Sequence, residues 1–223
     1  MLYSHLEHLV HEDPVRIRST LSEHGCVLIR RGFDYGKLLA ELEAVSSQLT
    51  TSGGILGFDV MPLSLINEST RLVSDGNEIV SRVLAGSSWK LHPVAFARST
   101  CGVDKPVPAH QDRQRWDQRG NLYTVWLALS DANTETATGI QLWLPCLWRP
   151  VKQPVAEEIK KYFVPWTPTL HAGDIVVFDG WLLHGTASSP EKTQRRLSVD
   201  VRLEKVPAWQ PVEPVRFWPK VPY

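Results

Sequence analysis

Gly173-Asp174-Ile175-Val176-Val177-Phe178 reads as a turn feeding a short buried strand, and similar runs recur on both sides of it. Leu122 to Leu129, Ile140 to Leu144, His92 to Ser99 and Leu197 to Leu203 are all short, rich in β-formers and bounded by turn residues. That spacing predicts an all-β sandwich or barrel rather than alternating βαβ units. Ahead of these runs the pattern is helical. Asp13-Pro14 can cap and open a helix, because the carboxylate accepts free backbone N–H groups and proline suits the first turn. Val15, Ile17, Leu21 and the stop at Gly25 agree, and Cys26 to Ile29 follows as a short apolar strand. Asp34 opens a second helix with Leu38, Leu39, Leu42 and Val45 on one face. Thr50 to Gly76 reads as loop, and Glu78 to Leu84 as a short helix. Helices first and strands later predict a mainly β fold with flanking helices, a jelly roll covered on one face.

The length, 223 residues, suits one domain spanning 1–223. Within it, 1–88 is expected to be mostly helical, 89–205 to form the β core, and 206–223 to be a tail rich in Pro and Trp. Lys and Arg number 24 and Asp and Glu 24, so no charge excess points to nucleic acid or an anionic membrane surface. The three cysteines, Cys26, Cys101 and Cys146, are odd in number and contain no CxxC pair, which predicts neither a disulfide framework nor a thiolate zinc site. A reducing cytoplasm is the expected compartment. Met1 to Val15 has no apolar run of signal-peptide length, and no stretch matches a membrane span.

The chemistry-bearing pattern is His110-Gln111-Asp112 followed far downstream by His184. In a strand, residues two apart point the same way, so His110 and Asp112 project together while Gln111 points away. His184, just beyond the Ile175 strand, can be delivered from a neighbouring strand. Two imidazoles and one carboxylate occupy one face of an octahedral metal, which is the facial triad of non-haem Fe(II) oxygenases. Alone, an H-x-D pair is more often a surface feature. His5, His8 and His11 recur every three residues but read as a solvated N-terminal segment, and His92 and His171 as structural.

The flanking sequence resembles the phytanoyl-CoA dioxygenase-like family of Fe(II)/2-oxoglutarate oxygenases. The similar stretches are Pro108 to Asp112, Thr124 to Ala132, Gly173 to Phe178, His184-Gly185-Thr186 and Arg196 to Arg202, in family order. The resemblance implies a double-stranded β-helix (jelly-roll, cupin-like) fold, with His110, Asp112 and His184 as iron ligands. It also implies an arginine gripping the distal carboxylate of 2-oxoglutarate, a task suited to the planar guanidinium fork. Arg195 and Arg196 both stand at the right distance. Arg195 shares a strand face with Leu197, Val199 and Val201. Arg196 shares one with Ser198, whose hydroxyl can bond the same carboxylate, so Arg196 and Ser198 are the expected pair. The competing role for Arg196 is a salt bridge with Asp200 or Glu204. Arg98, Arg113 and Trp116 are candidates for the substrate pocket, although an arginine near a site is more often solvated or salt-bridged. Trp126, Trp143 and Trp181 read as core or pocket wall.

The implied activity is oxidation, in the first place hydroxylation, of an unactivated C–H of a small molecule, with Fe(II), 2-oxoglutarate and O₂ consumed to give succinate and CO₂. Asp112 argues against a halogenase, whose relatives lack that carboxylate. The sequence departs from the family pattern at Cys146-Leu147-Trp148, where many relatives have Gly-Ser-His, and at Thr186 to Pro190. Both segments border the pocket in the family, so the departures bear on substrate. A free small molecule is expected over a CoA thioester, because no basic pocket awaits the phosphates. No nucleic-acid or membrane partner is expected, and a monomer is the default, with a homodimer the alternative. Two rival functions are a metal cupin that uses no 2-oxoglutarate and a non-catalytic binding module of the same fold.

Overall fold

A computed structural model of the chain describes residues 9–11, 13–51, 55–57, 61–74, 88–102, 104–115, 122–151, 162–187 and 189–206. The expected helix over 78–84, the tail beyond Val206, and Trp116 lie outside them.

The chain begins with β1 (Val10–His11) and α1 (Pro14–His24), whose start and stop are those the sequence implies. Asp13 Oδ1 accepts from the Val15 N–H at 3.0 Å, and Gly25 closes the helix in the left-handed region at φ 77°. β2 (Cys26–Ile29) follows with every side chain buried. α2 (Gly36–Ala44) buries Leu38 and Leu42, and Asp34 Oδ1 accepts from the Gly36 N–H just before it. Next come α3 (Ser46–Thr51), β3 (Ile55–Gly57) and α4 (Leu63–Ser74). The stretch expected to be loop therefore holds a strand and a three-turn helix. The apolar period of α4 is interrupted because its buried face carries Glu68 and Ser69. Glu68 is paired with Lys37 and Arg71, and the Ser69 hydroxyl donates to the Leu65 carbonyl.

The β core follows: β4 (Ser88–Thr100), the single turn α5 (Asp112–Arg115), β5 (Leu122–Ala128), β6 (Gly139–Leu144), β7 (Val164–Trp166), β8 (Ile175–Asp179), β9 (Leu183–Ala187) and β10 (Arg196–Val206). They form a seven-stranded sheet in the order β1-β2-β8-β5-β10-β4-β3 and a three-stranded sheet β7-β6-β9. β1 and β2 at one end and β3 at the other, all from the mostly helical part, thus extend the larger sheet.

Strand alternation separates two cores. Val125, Leu127, Val177, Val199, Val201 and Leu203 on one face of the larger sheet pack against Ile17, Leu21, Leu38, Leu42 and Leu65 of the helices. On the other face Trp126, Ala128, Val176 and Phe178 meet Ile140, Leu142 and Leu144 of the smaller sheet. This is the jelly roll with helices on one face, its interior closed between two sheets.

Candidate active site

β10 carries the polar interior. Its residues alternate between Leu197, Val199, Val201 and Leu203 under the helices and Arg196, Ser198, Asp200 and Arg202 between the sheets, all of them buried except the half-buried Leu197. Across the ladders Arg196 lies opposite Thr100, Ser198 opposite Arg98 and Ala128, Asp200 opposite Trp126, and Arg202 opposite Thr124. Of these, Arg98, Thr124, Trp126, Arg196, Asp200 and Arg202 line a cavity that opens to solvent, together with His110, Phe178, Ile140, Val107 and His184 to Thr186.

The triad closes one wall. Ligand atoms of His110, Asp112 and His184 all lie within 4.8 Å of one another, and all three residues are buried. Two of them do not reach the site as plain strand alternation would have it. His110 sits in an isolated bridge with His184, each N–H donating to the other's carbonyl at 2.9 Å, and Asp112 is the first residue of α5. A strand end running into a helical turn brings the two together. His184 stands within β9 itself. Gln111 does point away: its amide donates to the carbonyls of Arg149 and Trp181 and accepts from the Val151 N–H.

Each imidazole has one nitrogen committed. His110 Nδ1 lies 2.8 Å from the Pro108 carbonyl and His184 Nδ1 3.0 Å from that of Leu182, an arrangement that leaves both Nε2 atoms as acceptors toward the centre. Asp112 Oδ1 lies 3.4 Å and 3.7 Å from the two Nε2 atoms. The other oxygen, Oδ2, accepts from Thr124 Oγ1 at 2.6 Å and from Arg202 Nε and Nη2 at 3.0 and 2.9 Å. One carboxylate oxygen is thus tied back and the other is free for a metal. Burial alone would raise the Asp112 carboxyl, but the Arg202 charge and the two imidazoles hold it well below the usual carboxylate range. Burial, with His110 beside it, pushes His184 down to about 3, so its ring is neutral and able to ligate. Two imidazole nitrogens and one carboxylate oxygen on one face suit Fe(II).

Arg196 and Arg195 separate cleanly. Arg195 precedes β10, is 50% exposed, and donates to the Ser99 carbonyl and to Asp104 on the outside. It does not share the apolar face expected for it, because the strand begins one residue later. Arg196 is 2% exposed and lies over the Trp126 ring at 5.3 Å. Its Nη2 donates to Thr100 Oγ1 at 2.7 Å, while its Nε and the Ser198 hydroxyl have no partner among the described residues. Asp200 bonds Arg98 at 2.8 Å and Arg202. Burial, then the Arg98 charge, push the Arg196 guanidinium down to about 9. A buried cation and a buried hydroxyl left unpaired side by side fit an anionic ligand.

Arg98 lines the cavity and Trp126 forms its wall. Arg113 does not reach it. Its guanidinium lies over Trp181 at 4.9 Å, in a separate depression shared with Tyr123, Trp148 and Asp179, because α5 turns it away from Asp112. Thr124 and Arg202 are cavity residues that the motif spacing does not reveal, and Asp200 serves Arg98 and Arg202; the row Arg196, Ser198, Asp200, Arg202 on one face of a strand is the legible signal for them.

The family model described as phytanoyl-CoA dioxygenase matches residues 79–196, from ahead of β4 to the first residue of β10. The chain belongs to the phytanoyl-CoA dioxygenase family. As a member it is a 2-oxoglutarate-dependent non-haem iron oxygenase, with iron and 2-oxoglutarate as its cofactors, and the triad and unpaired Arg196 fit both. No curated protein matches it in sequence. Among solved structures it is similar to the non-haem 2-oxoglutarate-dependent epimerase SnoN from nogalamycin biosynthesis, with 18% identity and a TM-score of 0.66 over 86% of this chain and 80% of that one. The carbocyclase SnoK from the same biosynthesis gives 16% identity and a TM-score of 0.63 over 82% and 81%. EctD from S. alaskensis, solved with 2-oxoglutarate and 5-hydroxyectoine, gives 15% and 0.64 over 87% and 77%. These likenesses place the fold among double-stranded β-helix oxygenases.

Proposed function

We propose that the protein hydroxylates an unactivated C–H of a small molecule, with His110, Asp112 and His184 holding Fe(II) and with Arg196 and Ser198 holding the distal carboxylate of 2-oxoglutarate. The observation that carries the assignment is the buried Arg196, which lines the same cavity as His110 and His184 and whose Nε, like the Ser198 hydroxyl two residues along the same strand, has no partner among the described residues. Bound together, iron and 2-oxoglutarate would activate O₂, the oxidant, with one oxygen atom going to succinate as CO₂ is released and the other to the substrate C–H.

The residues supply the setting. The Nδ1–H groups of both histidines, held by backbone carbonyls, fix ring orientation. Thr124 and Arg202 leave Asp112 a single oxygen to offer. Arg196 fixes the far end of the cosubstrate by a charge-assisted pair. Trp126, Phe178 and Ile140 keep water from the reacting carbon.

Anaerobic titration of the metal-free protein with Fe(II) and then 2-oxoglutarate, followed by the weak visible absorption of the chelate, tests the cosubstrate site. Wild type is expected to develop the band, and Arg196→Ala to require at least about thirtyfold more 2-oxoglutarate, the cost of stripping a partner from a buried carboxylate pair. Iron binding without the band would move the protein to a metal enzyme that uses no 2-oxoglutarate. A turnover product heavier by one oxygen supports hydroxylation; an unchanged mass or the loss of two hydrogens points to epimerisation or ring closure instead.

A further inference from the structure

The charges around the cavity do not cancel once the cosubstrates are in place. Asp112 and the iron-binding carboxylate of 2-oxoglutarate offset Fe(II), and the distal carboxylate offsets Arg196. What remains is Asp200 between Arg98 and Arg202, one carboxylate shared by two guanidinium groups. Among the described residues no other acid lines the cavity. A desolvated site with an unmatched positive charge is costly unless a ligand supplies the counter-charge.

The surplus has an address. Arg202 is spent on Asp112 and Asp200. Arg98 commits only its Nε, to Asp200 Oδ1 at 2.8 Å, so its two amino groups have no partner among the described residues. Its guanidinium lies over the Phe96 ring at 5.0 Å, which fixes its plane, and its side chain keeps 13% exposure at the open cavity. On the ladder it lies opposite Ser198, beside the place assigned to the distal carboxylate.

From this placement we propose that the substrate is a small monocarboxylic acid and that Arg98 is its anchor, the free guanidinium edge receiving the acid as a forked pair. The inference rests on the iron and 2-oxoglutarate assignment above, since the charge count includes both. One surplus charge matches a carboxylate, whereas a phosphate monoester brings nearly two. The acid group docks at the cavity mouth while the rest of the molecule reaches toward the triad.

The test uses the protein loaded anaerobically with Fe(II) and saturating 2-oxoglutarate, so that the Arg196 seat is filled. The chelate band is read first; its absence in wild type overturns the cosubstrate assignment before any probe is added. A panel of straight-chain and aromatic monocarboxylates, each beside its primary amide, is then titrated by calorimetry and by perturbation of the band. At least one acid is expected to bind about tenfold or more tightly than its amide. Arg98→Gln is expected to abolish that preference and Arg98→Lys to retain most of it. Acids and amides binding alike, no acid binding at all, or a preference that survives Arg98→Gln overturns the proposal. If Arg98→Gln fails to fold, the acid-to-amide ratios of wild type and Arg98→Lys decide, because a charge anchor keeps the preference in both.

Discussion

Asp112 shows how much one residue depends on those behind it. Its Oδ2 takes three hydrogen bonds, two of them from Arg202, and this is what turns a flexible carboxylate into a ligand with one oxygen on offer. Arg202 is in turn held by Asp200, itself tied to the half-buried Arg98, so a chain of four charges, three of them buried, ends at the proposed metal position. Losing such an orienting partner typically weakens a metal site by about 10–100-fold. Arg202→Lys, which keeps the charge but loses the fork, is therefore expected to weaken Fe(II) binding by about tenfold in anaerobic titration. Arg202→Gln is expected to weaken it further and to cost about 3–5 kcal/mol of stability, because two buried carboxylates lose their partner. Thr124→Val removes a single neutral donor and is expected to have the smallest effect. Unchanged iron affinity in Arg202→Lys would show that Thr124 alone suffices to aim the carboxylate.

At the scale of elements, the joint between α1 and β2 is set by Gly25. Its φ of 77° is a left-handed conformation, and a Cβ there would overlap the Cys146 side chain. Gly25→Ala combines the backbone cost of about 1–2 kcal/mol with that overlap, so a fall in thermal midpoint of several degrees is expected. α4 carries a different device. The Arg71 hydrogen bond, working against burial and helped by Lys37, holds the Glu68 carboxyl down to about 2. A depressed carboxyl stabilises the fold in full above its free value and loses that contribution as pH falls toward its folded value. The window here is from about 4.5 down to about 2. Glu68→Gln is expected to cost about 1 kcal/mol at neutral pH, since both partners are exposed, and to flatten the stability curve across that window. A denaturant series at several pH values reads both effects. Glu68 also explains why α4 was illegible in the sequence: its charge occupies a position where a 3.6-residue period demands an apolar residue. The strands around Val125 and Val176 were legible because they are buried on both faces and leave largely apolar runs, and the strand around Val199 because its apolar residues alternate with polar ones at a period of two. β9 was not, since Leu183 to Ala187 is short and its middle is His184-Gly185-Thr186, residues selected by the cavity rather than by strand propensity. The triad could be read from spacing and family resemblance, whereas the Thr124 and Arg202 contacts to Asp112 depend on cross-strand register.

For the molecule as a whole, the metal position lies where the two sheets meet. His184 belongs to β9 of the smaller sheet and is bridged to His110. Asp112 is tied to β5 and β10 of the larger sheet through Thr124 and Arg202. A single ion held by all three, as proposed, would join the sheets and would bind only the folded chain, since His184 is far in sequence from His110 and Asp112. Linkage then requires Fe(II) to stabilise the fold, by about 2.7 kcal/mol at a hundredfold excess over Kd. An anaerobic melt is expected to show a midpoint that rises with Fe(II) and falls back when a chelator removes it. 2-Oxoglutarate bridges the ion to Arg196 on β10 in the proposed assignment, so it is expected to add a second increment only when iron is present. In His184→Ala both increments should vanish; in Arg196→Ala the iron increment should remain and that from 2-oxoglutarate shrink. An iron increment of wild-type size in His184→Ala would place the ion elsewhere and remove the basis for a metal joint between the sheets.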